Sequence, residues 1–181
     1  MPPGESRRIV VWACDQSRFG LRTIRRRRLT GYGVKPVGRC QYGYANFWLY
    51  GAVAPATGDG FFYVLPTLNA EYMQLFLNAL AQARPDTLNV LLLDNSGAHT
   101  AQELVVPSNI VLLFQPPYAP EVNPAERVWA DLKMDLAWEC YTSLQALQDH
   151  IVRLVEAYDA PTLHSLTAYP YFMAAVNALS P

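Results

Sequence analysis

Asn89-Val90-Leu91-Leu92-Leu93-Asp94 is a near-continuous apolar run that ends abruptly in a carboxylate. A strand buried on both faces has this pattern, and such strands belong to parallel sheets covered by helices. Asn109 to Phe114 is a second run of the kind, and Arg8-Ile9-Val10-Val11-Trp12-Ala13-Cys14 is a third, ending in Asp15. Tyr44 to Ala54 and Gly60 to Leu65 are rich in aromatic residues and valine, and Pro55-Ala56-Thr57-Gly58-Asp59 between them supplies turn residues, which predicts an antiparallel hairpin. Residues 20–40 are basic and dotted with glycine, and read as a poorly defined strand or a long loop.

Helices fill the remaining spaces. Asn69 can cap a helix whose apolar positions Tyr72, Leu75, Phe76, Ala79 and Leu80 recur at helical spacing until Pro85. After Pro116, Pro117 and Pro120, a helix begins at Asn123 with Pro124 in its first position. Thr142 and Gln145 form a capping box for a last long helix with the face Leu144, Leu147, Ile151, Leu154 and Val155. The expected fold is therefore α/β, a mixed sheet with antiparallel first strands and then parallel strands, flanked by helices. No repeat, low-complexity stretch or second core interrupts it, so residues 1–181 are expected to form a single domain with a core over about 8–160 and a C-terminal helical extension over 161–181.

With 181 residues, 51% of them hydrophobic and 16% charged, the chain excludes a disordered tail, a fibre or a collagen. No apolar run reaches the roughly 18 to 20 residues that span a bilayer, and Met1 to Arg8 lacks the apolar core of a secretion signal. A cytoplasmic protein with no membrane partner is the expectation. Cys14, Cys40 and Cys140 are too far apart in sequence for a zinc knuckle or a redox pair, which fits a reducing compartment.

The net charge of -1 conceals a segregation. Residues 1–40 carry ten basic groups (Arg7, Arg8, Arg18, Arg22, Arg25, Arg26, Arg27, Arg28, Lys35, Arg39) against Glu5 and Asp15, a local +8. The other 141 residues carry four basic and thirteen acidic groups, or -9. Such polarity suits an enzyme that grips a polyanion on one side and gathers carboxylates on the other, although Arg25 to Arg28 could equally form a solvated loop.

Among the carboxylates, Asp15 and Asp94 each follow a hydrophobic strand, at the sheet edge where open α/β folds bind ligands. An aspartate after a strand can also simply begin a turn, but two on neighbouring strands converge. Glu126 can reach back to the Asn123 cap amide, or be delivered by the proline loop as a third ligand over the strand ends. Three oxygen donors of this type suit Mg²⁺ or Mn²⁺, and the chemistry is a two-metal, in-line attack on a phosphodiester. His99 could orient a water or contact phosphate, or else cap or face solvent, while His150 and His164 read as structural. The chain has no Gly-x-Ser-x-Gly elbow, no P-loop and no dinucleotide glycine fingerprint.

The strand ending in Asp15, the segment Leu91-Leu92-Leu93-Asp94-Asn95-Ser96-Gly97-Ala98-His99, and above all Pro116-Pro117-Tyr118-Ala119-Pro120-Glu121-Val122-Asn123-Pro124-Ala125-Glu126-Arg127-Val128-Trp129-Ala130-Asp131-Leu132-Lys133 resemble the DDE transposases of bacterial insertion sequences in the mariner superfamily. The resemblance covers roughly residues 8–160 and implies an RNase H-like fold with a metal-binding triad at Asp15, Asp94 and Glu126. It implies metal-dependent cleavage of DNA at transposon ends, transfer of the freed 3′-hydroxyl into target DNA, and a homodimer on DNA. Asn95 and His99 become accessory candidates beside the triad.

Gln16 stands where family members usually carry a glutamate, and the 31 residues between Asp94 and Glu126 are a few fewer than usual, a difference most simply taken from the loops around Pro107. A full transposase of this type opens with helix-turn-helix modules, whereas the catalytic sheet here is expected to start by residue 8. A separate helix-turn-helix polypeptide would then read the transposon ends, while Arg25 to Arg28 and Lys133 grip DNA backbone; Lys133 could also be merely solvated. Trp129, three residues after Glu126, is expected to pack in the core. The alternatives are an inactive remnant serving as a DNA-binding or assembly subunit, and a host nuclease acting on RNA–DNA hybrids.

Overall fold

The structure, a computed structural model, describes residues 6–94, 104–116 and 123–179. In chain order these form β1 (Arg8–Arg22), β2 (Tyr42–Ala54), β3 (Asp59–Leu65), α1 (Ala70–Ala83), β4 (Thr87–Leu93), β5 (Ile110–Phe114), α2 (Ala125–Asp135), α3 (Leu144–Glu156), α4 (Ala160–Thr167) and α5 (Pro170–Leu179). The strands make one sheet in the order β3-β2-β1-β4-β5. β1, β2 and β3 pair antiparallel, whereas β4 and β5 run parallel to β1. The hairpin turns on Gly58, whose φ of 73° lies in the left-handed region that glycine enters without a Cβ penalty.

Strand alternation sends side chains to two separate cores. Val10, Trp12 and Cys14 face α1 and pack with Met73, Phe76, Leu77 and Leu80. Val11 and Ala13 point the other way, onto Val90, Ala125, Phe172 and Val176. Further along the same face, Phe19, Phe47 and Leu49 meet Val128, Trp129, Leu132, Leu147 and Ile151. So α1 covers one face of the sheet, and α2, α3 and α5 cover the other. At the C-terminus Phe172 is buried and closes this second core, Tyr169 packs partly against it, and Tyr171 is half exposed.

β1 is longer than the apolar pattern suggests. The polar residues Asp15, Gln16 and Arg18 mark an apparent end at Cys14, but the strand runs on to Arg22 because its second half pairs with β2, from Ala13 opposite Val53 to Gly20 opposite Asn46. Asp15 therefore lies in mid-strand, just where β4 ends and β2 becomes the only partner. The cap of α3 also differs by one position: Ser143, not Thr142, accepts the Ala146 N–H at 3.1 Å, and Gln145 instead bonds Asp149 one turn on at 2.8 Å. Asn69 caps α1 as expected, accepting the Tyr72 N–H at 2.9 Å.

Candidate active site

The β1–β4 register pairs Trp12 with Leu91 and Ala13 with Leu92. Carried two residues further, it sets Asp15 level with Asp94. Both then fall on the face of Val11, Ala13, Val90 and Leu92, the face that α2 covers. Asp15 is half-buried, whereas Asp94 and Glu126 are exposed.

Asn123 secures the start of α2 against β1. Its Nδ2 donates to the Cys14 carbonyl at 3.0 Å, and its Oδ1 accepts the Ala125 N–H at 3.1 Å, so one buried side chain both caps the helix and joins it to the residue before Asp15. The helix is regular from Ala125, with Pro124 already at helical angles. Glu126 makes no side-chain hydrogen bond back to the cap among the described residues, so it is not consumed as a capping group. One turn later the Trp129 indole N–H donates to Asp15 Oδ2 at 2.8 Å. Trp129 is in the core, as expected, but its polar edge is directed at a candidate site residue.

The electrostatics reflect this crowding. Burial pushes the Asp15 carboxyl up to about 6. The Gln16 amide and the Trp129 indole pull it down, while the charges of Glu126 and Asp94 raise it further. The Cys14 thiol is pushed up by burial and then by Asp15 and Asp94. Among the described residues, no three acidic, histidine or cysteine groups are gathered closely enough to hold a metal ion as they stand. The donor chemistry nevertheless fits a hard divalent cation: three carboxylates supply only oxygen, and two of them repel the third through space, a repulsion that a cation would relieve.

Basic groups border the carboxylates. Lys133, two turns after Glu126, is half-buried with its Nζ 5.7 Å from the centre of the Phe19 ring. Burial pulls its ammonium down, opposed by Glu126 and Asp15 and reinforced by Arg26. Beside it opens a groove of about 360 Å³ lined by Arg18, Arg22, Tyr44, Asn46 and Lys133. Arg25, Arg26, Arg27 and Arg28 are exposed, but their loop is fastened: Arg26 donates to the Ala130 carbonyl at 3.2 Å, and Arg28 lies 4.7 Å over the Trp138 ring. Trp138 in turn donates its indole N–H to the Arg26 carbonyl at 3.0 Å and its backbone N–H to the Ile24 carbonyl at 2.9 Å.

His150 bonds the Tyr141 hydroxyl at 2.7 Å and His164 the Pro55 carbonyl at 2.7 Å, both structural contacts. Asn95 and His99 lie outside the described residues. The latches from Asn123 and Trp129 are what the sequence reading missed. Both flank Glu126 at three residues, but that spacing does not disclose their partners on β1.

A mixed five-stranded sheet of this order, covered by helices on both faces, is an RNase H-like fold. A family model described as DDE superfamily endonuclease matches residues 10–148, and the chain belongs to that family. Solved structures of the Mos1 transposase superpose on it: the paired-end complex with left transposon end at a TM-score of 0.68 and 19% identity, over 90% of this chain and 52% of that one. The mariner Mos1 paired end complex with Mg gives a TM-score of 0.63 and 20% identity, over 89% of this chain and 51% of that one. "Uncharacterized protein y4pE/y4sA" of Sinorhizobium fredii (strain NBRC 101917 / NGR234) is 43% identical over 83 residues, 45% of this chain and 62% of that protein. The chain spans about half the length of the transposase chains it matches.

Proposed function

We propose that Asp15, Asp94 and Glu126 hold two divalent cations, Mg²⁺ or Mn²⁺, and that the chain cleaves DNA at transposon ends and joins the freed 3′-hydroxyl to target DNA. The observation that carries this reading is the placement of Asp15 level with Asp94 on the face of the sheet that α2 covers, with Glu126 in the first turn of that helix. Membership of the DDE endonuclease family supports it, as do the fold's likeness to a transposase solved on transposon ends and that relative's complexes with Mg and Mn. When bound, the cations supply the charge that activates the attacking oxygen and neutralises the leaving one.

The protein's own groups supply the rest. Asp15, at about 6, is mostly ionised near neutral pH and presents a carboxylate whose other oxygen is held by Trp129. Arg25, Arg26, Arg27, Arg28 and Lys133 hold phosphates beside the carboxylates without reading sequence. The groove beside Lys133, lined by Arg18 and Arg22, gives a strand room on the basic side. Two copies act together on the paired ends.

Nicking of supercoiled plasmid in Mg²⁺ or Mn²⁺ tests this. Wild type cuts, and Asp94→Asn, which keeps shape and removes one charge, does not, although its circular dichroism is unchanged. Equal nicking by both proteins would sink the proposal. Cutting of an RNA–DNA hybrid but not of duplex DNA would replace the substrate, and salt-sensitive DNA binding with no cutting in wild type would leave only a binding subunit.

A further inference from the structure

Asp15 is held from one side by a seat that spans three strands. Gly51 lies directly opposite Asp15 on β2, and Phe62 lies opposite Gly51 on β3. The Trp129 ring occupies this line. A Cβ at position 51 would stand 2.5 Å from Trp129 Cη2, and the Phe62 ring meets the indole edge-on, with centroids 6.2 Å apart at 72°. With its body so confined, the indole can present its N–H in one direction only, and that direction is Asp15 Oδ2.

We propose that Trp129 is a positioning residue for cation binding: through Oδ2, and together with the Gln16 backbone amide, it fixes the orientation in which the Asp15 carboxylate meets a divalent cation, and Gly51 is glycine to make room for it. This rests on the assignment of Asp15 as a cation ligand. A carboxylate on a two-bond stem turns freely unless something holds it, and a ligand held in one rotamer by an outer hydrogen bond binds its ion without the ordering cost. The arrangement also accounts for the indole itself, because a buried indole N–H needs an acceptor. Asp15 satisfies it, and the same bond ties β1 to the helix that carries Glu126. Asn123 makes the matching tie on the other side of Glu126, through the Cys14 carbonyl. Displacing Trp129 therefore disturbs Asp15 without removing any ligand.

Calorimetric titration of Mn²⁺ into the full chain tests this. Trp129→Phe keeps an aromatic body in the seat and deletes the N–H, and should bind Mn²⁺ about 10 to 100 times more weakly than wild type. Gly51→Ala keeps the indole and crowds it off its seat, and should weaken binding in the same direction. A purely structural tryptophan would lower the melting temperature and leave the Mn²⁺ dissociation constant where it was, so a folded Trp129→Phe variant with wild-type affinity would overturn the proposal. Where a variant fails to fold, the wild type decides by NMR. Of its four tryptophan indole N–H signals, Trp129's should be broadened at the lowest Mn²⁺, and its persistence while another disappears would overturn the proposal. If wild type binds no Mn²⁺, the carboxylate site fails and this role with it. If Asp94→Asn loses binding while Trp129→Phe and Gly51→Ala retain it, the site stands and only the positioning role falls.

Discussion

At neutral pH, Asp15 carries its charge against the preference of its surroundings. The folded protein holds it at about 6, whereas the unfolded chain returns it to the ordinary carboxylate value, so the folded state keeps the proton longer as pH rises. The stability this contributes is complete below about pH 4 and is lost by about pH 6, which leaves the metal-free protein weaker at neutral pH by about 3 kcal/mol. Asp15→Asn can still accept from the indole and carries no charge to desolvate. In EDTA it should raise the melting temperature by about 6–12 °C near pH 7.5 and change it little near pH 4, as scanning calorimetry would read. An equal gain at both pH values would remove the electrostatic explanation. Asp15, Asp94 and Glu126 are legible as candidates in the sequence because a carboxylate ending an apolar run, or opening a helix after a proline loop, leaves a local mark. The Trp129–Asp15 bond leaves none, since it joins residues 114 positions apart and depends on the absence of a side chain at Gly51.

Elements carry those residues to one another. Asn123 is the hinge point, buried, with one end on the helix and the other on β1. Asn123→Ala deletes a cap bond and strands the Cys14 carbonyl, and should cost about 2 kcal/mol in urea unfolding. A cost within about 0.5 kcal/mol would mean that α2 is held by its apolar face alone. The hairpin, the two parallel strands and α1 follow from patterns that local chemistry writes directly: turn residues, unbroken apolar runs, an asparagine cap. The far half of β1 does not, because Asp15, Gln16, Ser17 and Arg18 look like a chain leaving the sheet. Only pairing with β2, from Ala13 opposite Val53 to Gly20 opposite Asn46, keeps that segment extended, and pairing of distant strands is not written in the local pattern. The one-residue slip in the α3 cap has a smaller cause: Thr142 and Ser143 are chemically equivalent caps, and the packing of Leu147 and Ile151 chooses between them.

Across the whole molecule, the charge split between residues 1–40 and the rest was visible in composition, but its anchoring was not. Trp138 takes a φ of 69° and clasps the arginine loop through Ile24, Arg26 and Arg28, which brings Arg26 close enough to influence Lys133. A loop held against the site should bind DNA as a surface and not as a loose tail. Replacing Arg25, Arg26, Arg27 and Arg28 by alanine should reduce the slope of log affinity against log salt by about 3 units, measured by fluorescence anisotropy with duplex DNA. An unchanged slope would remove the loop from the interface. The central claim is that Asp15, Asp94 and Glu126 act as one cation site, and the most direct measurement is a Mn²⁺ titration of wild type beside Asp94→Asn and Glu126→Gln, with folding checked by circular dichroism. Saturable binding in wild type that both folded variants lose is the predicted result; variants that bind as wild type does, or a folded wild type with no heat of binding, would contradict it.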